Sequence, residues 1–195
     1  IILFFVTLTS FTIGNAQDLH LSQFFSSDQF LNPAMMGAHT GDLRVIANYR
    51  NQWRQINGAP LTTGMLQADK AFHYYSHEID GGIMYARDQF SGFQTITNKI
   101  YLAGAYGYDW LSSHWRGGIQ LGVVSNSTDL STQTFPTQWD YPNGTFSQDI
   151  YNGEENIRAA QMYVDLNLGT SWKKKFNKFN LLAGVAIHHI NRPKD

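Results

Sequence analysis

Cysteine is absent from the 195 residues. That removes disulfide frameworks, thiolate zinc sites and cysteine nucleophiles together. Charge is scarce as well: charged residues make up 15%, against about 25% in ordinary soluble domains. The formal net charge is -1, which offers no electrostatic footprint to a nucleic acid. Helix-period segments of useful length are missing, and with a mean hydropathy of -0.31 a helical membrane protein is excluded. What the chain holds in quantity is aromatic side chains, with 10 Tyr, 13 Phe and 5 Trp, and 17 glycines. Few charges, many aromatics and many glycines suit a transmembrane β-barrel, whose strands escape hydropathy averages because alternate residues face the lumen. A secreted sandwich shares that composition.

The N-terminus narrows the compartment. Residues 1–13, IILFFVTLTSFTI, form an apolar run too short to span a bilayer as a helix, and Gly14-Asn15-Ala16 follow. This pattern reads as a partial signal peptide, residues 1–16, cleaved after Ala16. A buried N-terminal strand is the alternative. An exported, cysteine-free bacterial chain is headed for the periplasm, the outer membrane or the exterior.

From residue 43 onward the dominant period is two. Alternating segments predict strands at 43–51, 61–72, 79–90, 96–110, 115–125, 161–172 and 179–190. In the first, Arg44, Asn48 and Arg50 oppose Leu43, Val45, Ala47 and Tyr49. The sixth alternates most clearly, with Met162, Val164, Leu166 and Leu168 against Gln161, Asp165, Asn167 and Gly169. Strands of this length exceed the roughly 5–6 residues usual in globular sheets and match the about 9–11 residues of a tilted membrane-crossing strand. Length and low charge disfavour a soluble β-sandwich adhesin. The fold expected is therefore an all-β, antiparallel outer-membrane barrel.

Connections at 73–78, 111–114 and 173–178 are short and are assigned to the periplasmic side. The connection at 126–159 is long, rich in Ser, Thr, Asn, Asp and Gly, and is assigned to the outside. Seven strands are an awkward total, because single-chain bacterial barrels have an even number. The sequence is therefore read as an N-terminal fragment: signal peptide 1–16, a lumenal or periplasmic segment 17–42, and barrel strands 43–195 forming an incomplete barrel. The alternative is a closed eight-stranded barrel that borrows a strand from 17–42.

Chemistry-bearing motifs are few. His73 and His77 stand four apart in a predicted turn with no paired third ligand, so a metal site is not expected. His188 and His189 are adjacent in a predicted strand and should point to opposite faces. Asp80, Asp88, Asp109, Asp129, Asp140, Asp149, Glu154 and Glu155 read as scattered over loops. No nucleophile elbow, triad or phosphate-binding loop occurs, so neither an enzyme nor a cofactor is expected. WKKKFNK, residues 172–178, is the basic run; a solvated turn near a membrane interface is its simpler reading, and contact with anionic lipid or a periplasmic partner the functional one. Arg44, Arg50 and Arg54 suggest a salt-bridged wall more than a cationic patch.

Three sequence elements carry a family resemblance. The first is Ser22-Gln23-Phe24 with Asn32-Pro33-Ala34 and Gly37. The second is Tyr49-Arg50-Asn51-Gln52-Trp53. The third is YVDLNLGTSW, then LLAGVAIHHINRP, ending in His189-Ile190-Asn191-Arg192-Pro193. In this order, and behind a signal peptide, they resemble the PorP/SprF family of Bacteroidota outer-membrane proteins. The match is strong at both ends and loose from about 111 to 159. The resemblance implies a barrel of the type IX secretion system that supports secretion or surface attachment of adhesins, some used in gliding motility. It implies outer-membrane lipid, type IX components and the C-terminal domain of a secreted adhesin as partners. Asn32, Pro33, Ala34, Gly37, Tyr49, Arg50, Gln52, Trp53, His189 and Pro193 would be structural motif residues, with Pro33 and Gly37 shaping the approach to the first strand. A passive channel for small or hydrophobic solutes is the alternative function.

Overall fold

The computed structural model describes residues 27–55, 60–75, 77–92, 94–129, 134–147, 149–151 and 160–191. Long strands dominate: β1 (Leu43–Gln52), β2 (Leu61–Tyr74), β3 (His77–Phe90), β4 (Thr95–Trp110) and β5 (Ser113–Thr128), followed by β8 (Ala160–Lys175) and β9 (Asn180–Ile187). Between β5 and β8 lies a small hairpin of β6 (Trp139–Asp140) and β7 (Thr145–Phe146). The seven long strands pair in the order β1-β2-β3-β4-β5-β8-β9, each antiparallel to the next. The sheet curls into a half-barrel.

Alternation explains why the strands form where they do. Their ends run past the predicted limits: β5 begins at Ser113 and reaches Thr128, and β8 extends to Lys175. Ladder hydrogen bonding continues there after apolar alternation has stopped, because polar side chains on both faces are tolerated at strand ends. β9 is the exception. It stops at Ile187 instead of continuing to residue 190, because His189 adopts φ 55, a left-handed conformation that breaks an extended ladder.

The turns are tight. Leu111 and Ser112, both at positive φ (49 and 58), join β4 to β5 as a two-residue hairpin, the backbone shape that matches strand twist. Phe176 and Phe179 close the β8–β9 turn through Phe176 N–H donating to the Phe179 carbonyl at 2.8 Å, with their rings stacked at 4.8 Å. The β6–β7 hairpin sits in the long connection. There the buried Gln138 accepts from Phe135 N–H at 3.0 Å and donates to the Ile150 carbonyl at 3.0 Å, while Trp139 packs edge-on against Phe146 at 5.0 Å.

The register puts the two faces of the sheet in sharp contrast. On the convex face, Ala68, Ile83, Leu102, Leu121 and Leu166 form one cross-strand row, and Leu66, Tyr85, Ile100, Val123 and Val164 form the next. Most of these side chains are exposed: Leu102 keeps 62% of its surface and Leu121 53%. Nearer the turns the row becomes Tyr74, His77, Tyr108, Trp115 and Trp172, with the two Trp rings 6.1 Å apart. An apolar band edged by aromatics thus covers the outside.

On the concave face, residues 27–42 fold inward as a plug. A single helical turn, α1 (Asp28–Leu31), leads into a 3-10 turn at Pro33–Met35. Residues 27–42 thus form no extra strand, and the rest of the 17–42 segment weighed for one lies outside the described residues. Above the plug, Met65, Met84, Ala86, Tyr101 and Val124 form an apolar cluster packed by Phe30, Ile46 and Tyr163.

Candidate functional site

Concave-face residues also fall into cross-strand rows, and the plug rests on the smallest of them. Ala71, Asp80, Ala105, Gly118, Gly169 and Ala186 lie side by side from β2 to β9. A Cβ on Gly118 would collide with the backbone of Pro33 and Ala34, and one on Gly169 with the Asn32 amide. On the adjoining row, a Cβ on Gly82 would meet the Met36 sulfur. Glycine is required here by close backbone approach.

Asn32 ties the plug down by three hydrogen bonds. Its side-chain oxygen accepts from Ala34 N–H at 2.9 Å, capping the 3-10 turn. Its amide donates to the carbonyls of Thr170 in β8, at 3.0 Å, and Val185 in β9, at 3.4 Å. Pro33 follows with its φ fixed and no N–H to satisfy, which suits the first position of a tight helical turn. Gly37 takes φ +73 and donates its N–H to Asp69 Oδ2 at 3.0 Å. A side chain there would also strike Asp80.

Two arginines anchor the plug, one through its backbone carbonyls and one through an ion pair. Arg116 on β5 donates through Nε to the Ala34 carbonyl at 2.9 Å and through Nη2 to the Met36 carbonyl. The same guanidinium pairs with Glu78 and Asp80 of β3. The Asp80 side chain is fully buried, and such a carboxylate is tolerable only when paired. On the β1 side, Arg44 bridges Asp69, at 3.0 Å, to Asp28 of α1, at 2.5 Å, and His39 reaches Asp69 at 3.1 Å. Ser27 adds a hydroxyl bond to Gln67 at 2.8 Å.

A third buried carboxylate organises the end of β9. Asp165 accepts from Tyr101 Oη at 2.7 Å and contacts His189 Nδ1 at 2.8 Å. Asn167 accepts from His189 N–H at 2.8 Å. His188 Nε2 lies 3.4 Å from the Leu31 carbonyl of the plug. The adjacent histidines therefore do not point to opposite faces; the left-handed turn at His189 brings both onto the concave side. Beyond it, Asn191 accepts from Leu166 N–H at 3.1 Å and donates to the Val164 carbonyl at 2.5 Å, so a side-chain amide stands in for a neighbouring strand.

At the turn end of the half-barrel, between the plug and the strand tips, lies a cleft of about 620 Å³. Its walls include His39, His73, Glu78, His114, Arg116 and Lys173. Glu78 lies 3.4 Å from His73 and 3.2 Å from His114, and His114 is 2.7 Å from Asp109.

The structure therefore gathers Asn32, Pro33, Ala34, Gly37 and His189 around the concave face, linking the first and last sequence motifs. It does not bring Tyr49, Arg50, Gln52 and Trp53 to them: these occupy the far end of β1, paired to β2 around Leu61–Gly64. Tyr49 is exposed on the convex face, Arg50 and Gln52 are half-buried on the concave face, and Trp53 leaves the strand at φ 57. Pro193 and the signal-peptide residues lie outside the described residues. Asp80, Asp88 and Asp109 are not in loops; they belong to β3 and β4. Sequence reading also passed over Arg116, Asp69 and Asp165. For Arg116 and Asp165 the signal was present, since each falls on the glycine-bearing phase of its strand, where a charge has to find a partner; Asp69 lies on the phase of Thr63, Met65, Gln67 and Ala71, with no glycine to mark it.

Searches of the curated proteins and of the solved structures each found no match. The family described as type IX secretion system membrane protein PorP/SprF matches residues 13–195, nearly the whole chain with its plug and all seven long strands, and the chain belongs to that family.

Proposed function

We propose that the protein is an outer-membrane component of the type IX secretion system that supports secretion or surface attachment of adhesins, of the gliding-motility kind, by binding cargo C-terminal domains or components of the machine. Membership of the PorP/SprF family carries this reading. On it the apolar convex band faces lipid, the short turns face the periplasm and the β6–β7 loop faces outward, the arrangement usual for such barrels. β1 and β9 each have one edge without a strand partner among the described residues, and a closed barrel requires further pairing on those edges.

The occupied concave face favours an adaptor over a passive channel. A solute path along the lumen would have to displace a segment held by Arg116, Arg44, Asn32 and the small-residue row. The decisive experiment tags the full-length protein in its host, solubilises the outer membrane and identifies what co-purifies. Recovery of an adhesin or type IX components supports the reading. Recovery of the barrel alone, with solute flux in liposomes, would replace it with the channel.

A further inference from the structure

The cleft at the turn end holds charges that the fold itself does not use. Across its rim runs the row Asp109, His114, Lys173 and Leu182, and the next position on β8 is Lys175, opposite Asn180. The acidic groups of the cleft already have partners: Glu78 is engaged by Arg116, His73 and His114, and Asp109 by His114. Arg116 is saturated by two carboxylates and two carbonyls. Lys173 and Lys175 line the same cleft, are exposed, and pair with no carboxylate among the described residues. They stand two residues apart on one face of a strand, so their Cα atoms are about 7 Å apart. Lys174 between them points to the other face and lies over the Phe176 ring.

Apolar surface adjoins these cations. Leu182 lies beside Lys173, and Leu111 lines the cleft from the β4–β5 turn. Leu111, in the β4–β5 hairpin turn, is 73% exposed. An extended peptide presents every second side chain to one side at the same repeat of about 7 Å.

We propose that this cleft binds an extended acidic peptide segment of a protein partner, with carboxylates at positions i and i+2 meeting Lys173 and Lys175 and a neighbouring apolar side chain resting on Leu182 and Leu111. The proposal rests on the reading of the turn end as the periplasmic mouth and assigns to that mouth the chemistry of its partner. The charge pattern selects a carboxylate-bearing peptide over a lipid phosphate because the two ammonium groups face the concave cleft, whereas the lipid-facing band is on the convex side.

The test uses the full-length protein in detergent micelles and a fluorescein-labelled octapeptide containing Asp-Leu-Asp, followed by anisotropy. The control peptide carries Asn-Leu-Asn. Binding of the acidic peptide at least tenfold tighter than the control is expected, with a further tenfold or greater weakening in the Lys173→Glu/Lys175→Glu double variant. Lys174→Glu should bind as the wild type does. Retained heat-modifiability on gels establishes that each variant is folded. Equal binding of both peptides, or equal loss in Lys174→Glu, overturns the proposal. So does binding of anionic phosphatidylglycerol vesicles that depends on Lys173 and Lys175 while the acidic peptide fails, since the cleft would then be a phosphate site. Co-purification of machine components without peptide binding would defeat this inference and leave the secretion role standing.

Discussion

Arg116 holds the plug and the sheet through one guanidinium. Replacing it with Met would leave the buried Asp80 and the partly buried Glu78 without their cation, and breaking a buried pair from one side costs about 3–5 kcal/mol. Urea unfolding of Arg116→Met in detergent should show that loss, whereas the exposed Lys173→Ala should change stability by less than about 0.5 kcal/mol. The neighbouring glycines give a sharper contrast. Gly118 faces the plug, and a Cβ there would strike Pro33 and Ala34, while Gly117 faces outward with nothing within 4 Å. Gly118→Val should therefore destabilise by about 1–3 kcal/mol through overpacking. Gly117→Val, one residue away, should be neutral or mildly stabilising, since β-branched residues suit strands. Equal effects of the two substitutions would show that the plug does not rest on Gly118.

At the scale of the element, the strands were largely readable and their contacts were not. Met162, Val164, Leu166 and Leu168 alternating with Gln161, Asp165, Asn167 and Gly169 locate β8 and both its faces without any coordinates. Alternation says which phase is buried, but not which strand's buried charge meets which: Arg116 finds Glu78 and Asp80, 38 and 36 residues away. The hairpin inside the long connection escaped for a different reason. Two-residue strands leave no period to detect, and the hairpin is organised by one buried Gln138 side chain. Gln138→Ala should loosen that loop alone, seen as faster proteolysis between Phe135 and Tyr151 with an unchanged global transition, because local units open independently of the core. For the long strands the outward phase can be tested directly. Leu121→Lys lies in the centre of the convex band and should cost about 2–4 kcal/mol in lipid vesicles if that band sits at the bilayer midplane. Tolerance of the lysine would argue that the face is in water.

Over the whole molecule, every ladder except β5–β8 joins strands separated by one short connection. Such pairings are local in sequence, and the loops that must close to make them are short. The plug is the opposite case. Asn32 reaches Thr170 and Val185, 138 and 153 residues along the chain, and Ala34 reaches Arg116, 82 residues along. Its docking surface does not exist until β3, β5, β8 and β9 have come together. The segment that leaves the ribosome early is thus the one whose contacts complete last, and its docking reports that the wall beneath it has been assembled in the right order. Pulse-labelled hydrogen exchange during refolding should find Ala34 N–H, bonded to Asn32 and buried beneath Arg116, protected after the β2–β5 amides; earlier protection would mean that the chain folds around the plug.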